Sequence, residues 1–111
     1  MFKKTERLGR AAFTNYFKIG RRFQSEYFTL VFTPAPLRAV AVVVGKKVHK
    51  QAVDRNTLRR RVYAAARTEM EATVTTNGIY IIIAKPTAKN LTQTAIAPAV
   101  ASLLATTQKP R

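Results

Sequence analysis

The chain has 111 residues, 47% of them hydrophobic, a size and composition that suit one domain with a modest core. Its 20 Lys and Arg against 5 Asp and Glu leave a formal charge of +15, a self-repulsion that a polyanionic partner offsets, and nucleic acid leads the list of such partners. The absence of cysteine excludes disulfides, thiol chemistry and Cys-based zinc sites and suits a reducing cytoplasm, and no apolar run reaches the roughly 18 residues of a membrane-spanning helix.

The basic start, MFKKTERLGRAAF, is not followed by the apolar run of a secretory signal. From Thr5 or Glu6 the spacing of Leu8, Phe13, Tyr16 and Phe17 predicts a first helix, with Gly20 as a left-handed stop. RFQSEYFTLVF is rich in β-branched and aromatic residues and alternates Tyr27, Thr29 and Val31 against Phe28, Leu30 and Phe32, as a strand does. A short extra strand fits around Arg22 to Ser25. After the prolines of TPAPL, the nearly continuous apolar run RAVAVVVG reads as a central strand covered on both faces. Leu58, Val62, Ala65, Ala66 and Met70 share one helical face from about Asp54, the expected cap, to Met70. Thr75 to Gly78 make a turn, IYIIIAKP is the next strand, closing a β-α-β unit at Pro86, and a last helix from Asn90 to Leu104 must kink or restart at Pro98. The expected fold is α+β: a single domain over 1–111 with helices on a mostly antiparallel sheet of about four strands, and a frayed tail from about residue 105.

The chemistry concentrates in VGKKVHKQAVDRNTLRRRVYAAAR, where Lys46, Lys47, Lys50, Arg55, Arg59, Arg60, Arg61 and Arg67 stand against one acid, Asp54. An ordinary exposed helix sets acids four residues from its bases; here the charges repel and call for an external anion. Arginine's planar fork engages two phosphate oxygens at once and stacks on bases. Asn56, between the bases, either bonds a nucleotide or ties down its own helix entrance. His49 is the lone histidine, a phosphate or solvent contact in a basic loop, and the five acids show no metal-ligand grouping, so a protein-only two-metal nuclease is disfavoured. Phe13 and Phe17 form an apolar stripe that serves either as core or as a stacking platform.

The helix carrying Phe13 and Phe17, the strand YFTLVF, the stretch VGKKVHKQAVDRNTLRRR and the strand GIYIIIAKP together resemble the bacterial ribonuclease P protein subunit over most of the chain. The resemblance implies an αβββαβα-type fold with a left-handed β-α-β crossover, against the usual right-handed rule. It implies a protein that joins a catalytic RNA cleaving the 5′ leader from precursor tRNA, with Mg²⁺ held chiefly by RNA phosphates and no catalytic residue of its own. Lys46, Lys47, Lys50, Arg55, Asn56, Arg59, Arg60 and Arg61 would bind the catalytic RNA, and Arg55→Ala or Arg60→Ala would weaken assembly and spare the fold. Phe13, Phe17, Tyr27, Val31 and Arg59 would line a cleft for the single-stranded leader. Thr57 and Tyr63 depart from the family's pattern, standing where further bases are usual. The implied protein is cytoplasmic, with no membrane or protein partner required. A ribosomal or other structural RNA-binding protein shares the composition without the cleft; a DNA-binding regulator is disfavoured because the basic helix follows a strand rather than a helix and tight turn.

Overall fold

In the computed structural model, residues 18–36, 38–72 and 77–105 are described. Among them, four strands and two complete helices follow one another in the order β1 (Arg21–Gln24), β2 (Phe28–Pro34), β3 (Ala39–Val43), α1 (Ala52–Ala72), β4 (Gly78–Ala84) and α2 (Gln93–Ala105), with a 3-10 turn at Pro86–Asn90. The proposed first helix, including Phe13, Tyr16 and Phe17, falls outside the described residues up to its last two positions, Lys18 and Ile19, which are helical. No described glycine has a positive φ, so Gly20 follows that helical end without the left-handed conformation expected of it.

The sheet order is β1-β2-β4-β3. β2 pairs antiparallel with both β1 and β4, and β3 runs parallel to β4. One expectation holds and another changes. The short strand before β2 is real, because Ser25 closes a tight reversal: its backbone N–H donates to the Phe28 carbonyl at 2.9 Å and its Oγ accepts from the Phe28 N–H at 3.2 Å. The apolar run of β3, read as a central strand, is instead an edge. Its composition reflects burial on its faces rather than hydrogen-bonded neighbours on both sides, and sequence periodicity does not separate these.

Strand alternation sorts the core. Phe28, Leu30 and Phe32 of β2, Val40 and Val42 of β3, and Tyr80, Ile82 and Ala84 of β4 join Leu58, Val62, Ala66 and Met70 of α1 and Ile96, Val100, Leu103 and Leu104 of α2 in one large cluster. Both helices therefore cover the same face of the sheet. The opposite parity, Val31, Ala39, Ile79 and Ile81, forms a second, smaller cluster. Phe32 and Tyr80 stack in tilted contact with ring centroids 4.8 Å apart. Where β4 begins, Gly78 lies so close to β2 that a Cβ there would sit 2.5 Å from the Phe32 ring and 2.6 Å from the Thr33 carbonyl oxygen.

The helices differ from expectation at their starts. α1 begins at Ala52, with the Gln51 carbonyl accepting from the N–H groups of Asp54 and Arg55. Asp54 is thus an acid of the first turn, favourably placed against the helix's positive end, and not the cap. The last helix starts at Gln93 because Pro86–Asn90 winds into a 3-10 turn first, and it carries Pro98 inside a single element rather than restarting there.

Candidate nucleic-acid interface

The basic segment enters α1 through a braced loop. Val48 is buried at 3% exposure and anchors the turn, while the Gly45 carbonyl accepts from the N–H groups of Val48 and His49. Arg55 reaches back from the first turn of α1, donating from Nη1 to the carbonyl oxygens of His49 at 3.1 Å and Lys50 at 2.7 Å. The loop is thereby pinned to its own helix, with Lys46, Lys47 and Lys50 held outward in solvent. Arg55 thus has a structural role beside the RNA contact expected of it: the guanidinium is committed in part to the backbone, so its removal would disturb the loop as well as any RNA contact.

Beyond the entrance, α1 presents its charges to two sides. Asn56, Arg59 and Arg60 line one groove with Val53 and Tyr63, a space of about 310 Å³. Asn56 accepts from Arg59 Nη1 at 2.7 Å, so it aims an arginine rather than tying down the helix entrance. Arg61 lies on the other side, in a cavity of about 160 Å³ shared with His49, Asp54, Leu58 and Lys89. Lys89 comes from the 3-10 turn after β4; its distance in sequence from the basic stretch hid it. The two departures from the family's pattern have packing roles: Thr57 Oγ1 donates to the Val53 carbonyl at 2.9 Å, and the Tyr63 hydroxyl donates to the Val40 carbonyl at 3.3 Å, tying α1 to edge strand β3.

Most of this charge is not neutralised from within. Among the described residues, no acid lies within ion-pair distance of Lys46, Lys47, Lys50, Arg55, Arg59, Arg60 or Arg61. Arg67 is the exception to the expected repulsion, since its Nε lies 3.0 Å from Glu71 Oε1 one turn on. No three His, Cys, Asp or Glu residues gather among the described residues.

The expected leader cleft divides. Phe13 and Phe17 lie outside the described residues. Val31 is 1% exposed and belongs to the smaller cluster, so its side chain offers a ligand no surface. Tyr27 packs instead against the larger cluster. Parity fails for Tyr27 because the ladder stops at the Gln24–Thr29 pair and Tyr27 sits in the reversal beyond it. That reversal is stapled to the end of β4: Lys85 N–H donates to the Tyr27 carbonyl at 2.8 Å, Lys85 Nζ to the Ser25 carbonyl at 2.6 Å, and Thr87 Oγ1 to the Glu26 carbonyl at 2.6 Å. A hydrogen bond to the neighbouring Glu26 carboxylate, with its charge, holds the Tyr27 phenol above its usual pKa of 10.0.

A single α+β domain with a mixed sheet and a helix-borne cationic cluster narrows the choice of family, and comparison with known proteins decides it. The family model described as Ribonuclease P matches residues 2–108. The chain belongs to the ribonuclease P protein family. Among solved structures it is similar to the RNase P protein of Staphylococcus aureus, at 22% identity over 95% of this chain and 97% of that one with a TM-score of 0.77. It is also similar to the RNase P protein of Thermotoga maritima, at 24% identity over 89% and 94% of the respective chains with a TM-score of 0.78. A search of curated proteins gave no match. Membership in the ribonuclease P family makes the chain an RNA-binding component of a tRNA-processing ribonuclease.

Proposed function

We propose that the chain is the protein subunit of ribonuclease P that grips the catalytic RNA with its cationic helix entrance and helps hold the 5′ leader of precursor tRNA, in the cytoplasm. The observation that carries this is the cluster of Lys46, Lys47, Lys50, Arg59, Arg60 and Arg61 around a braced loop and helix start, left without acidic partners among the described residues. A rigid cationic surface costs little ordering entropy on meeting folded RNA. Chemistry belongs to the RNA in this reading, with Mg²⁺ held chiefly by its phosphates, and the protein lowers the electrostatic cost of adding a second polyanion. No protein partner is required.

Each leader phosphate neutralised adds roughly −0.7 to the log-log salt slope for a single strand, so about four contacts give a slope near −3. The test is reconstitution with a bacterial catalytic RNA at low magnesium, measuring cleavage together with affinity for precursor and for mature tRNA across salt concentrations. Stimulated cleavage with a preferential gain for precursor supports the reading. Equal gains for both tRNAs would remove the leader role, and absence of stimulation would leave a structural RNA-binding protein.

A further inference from the structure

Val53, in the first turn of α1, is one of two large hydrophobic side chains strongly exposed among the described residues, at 67%. It lies on the more highly charged of α1 and α2, where an apolar residue gains nothing from solvent. Its neighbours at helical spacing are Asn56, Arg60 and Tyr63, and with Arg59 these line the 310 Å³ groove. The combination is specific in kind: a ring and methyl groups for a flat apolar object, two guanidinium groups for an anion, and an amide.

We propose that this groove is a pocket for one unstacked nucleotide of a bound RNA, its base against Tyr63 and Val53 and its phosphate against Arg59 and Arg60. The occupant follows from charge and shape together. An apolar peptide side chain would leave the two arginines unanswered, whereas a nucleotide carries a planar base and an anionic phosphate within one unit. The pocket is also preorganised. Asn56 holds Arg59 by one Nη at 2.7 Å, leaving its other N–H donors for phosphate oxygens. The Tyr63 hydroxyl is fixed on the Val40 carbonyl, so the ring is positioned by the sheet edge rather than by the helix alone. Tyr63, where a base is usual in the family, thus replaces a phosphate contact with a base contact. The inference rests on the RNA-binding reading above and adds a base-dependent term to it.

The test uses the full chain, a single-stranded oligoadenylate, and an abasic oligomer of the same length and phosphate number. Wild type should bind oligoadenylate about tenfold more tightly than the abasic oligomer, the size of one base stack. Tyr63→Leu should lose most of that preference while binding the abasic oligomer as wild type does. Tyr63→Phe, which keeps the ring but loses its anchor on the Val40 carbonyl, should keep part of it, and Val53→Ser, at an exposed position that spares the fold, should reduce it about threefold. If Tyr63→Leu and Val53→Ser both retain the full preference, or if wild type has none, the pocket is wrong although RNA binding stands. If wild type binds neither oligomer at moderate salt, RNA binding itself fails. Should Tyr63→Leu not fold, as judged by circular dichroism, Val53→Ser decides alone.

Discussion

Arg55 and Arg60 are five residues apart on one helix and answer differently to the same substitution. Arg55 donates to two loop carbonyls, so Arg55→Ala should cost about 1–3 kcal/mol in urea denaturation besides weakening assembly with RNA. Arg60 is exposed, with no such bonds, so Arg60→Ala should leave the unfolding midpoint unchanged and flatten the salt slope of RNA binding by about one phosphate's worth. Equal stability losses in the two variants would contradict the distinction. Gly78 makes a separate case, since a methyl group there would meet both the Phe32 ring and the backbone of Thr33. Gly78→Ala should destabilise by about 1–3 kcal/mol, seen as a lowered Tm, because backbone does not yield as a flexible side chain would. The sequence announced the arginines by type and number; it did not say which of them the protein uses itself.

At the scale of elements, α1 was legible from Leu58, Val62, Ala66 and Met70, all buried and all four residues apart. Its start was displaced by two residues because Gln51, whose carbonyl accepts the first intrahelical bonds, stands at the cap position and is not of a residue type that marks one in sequence. α2 was legible through its apolar face but not in its continuity, since Pro98 removes a donor and crowds the preceding turn without stopping the helix. Burial of Ile96 before the proline and Val100, Leu103 and Leu104 after it holds the two halves together. Pro98 is exposed, so Pro98→Ala should add about 1–3 kcal/mol of stability, less whatever the proline gains by restricting the unfolded chain. A fall in Tm would mean that the ring makes packing contacts worth more than the missing hydrogen bond.

For the whole molecule the deciding quantity is the charge of +15 on 111 residues. With Lys46, Lys47, Lys50, Arg59, Arg60 and Arg61 left without acidic partners among the described residues, self-repulsion opposes the folded state and salt screens it, so the free protein's Tm should rise as ionic strength goes from about 0.01 to 0.15 M. A Tm independent of salt over that range would show that the charges lie too far apart to matter for folding. The same salt weakens RNA binding, and the two opposite dependences together separate the molecule's internal electrostatics from its recognition.

Composition and periodicity by themselves pointed to an α+β domain, to a polyanionic partner, and to a basic loop and helix as the surface that would meet it. These follow from properties that each residue carries wherever it lies: charge, side-chain type and local spacing. Only the tertiary structure decided that β3 is an edge, that Val31 is sealed while Tyr27 turns to the other cluster, that Arg55 braces a loop, and that Val53 and Tyr63 share a groove with Arg59. Each of those depends on which distant backbone a residue meets, and strand pairing is a relation between segments that neither segment encodes alone.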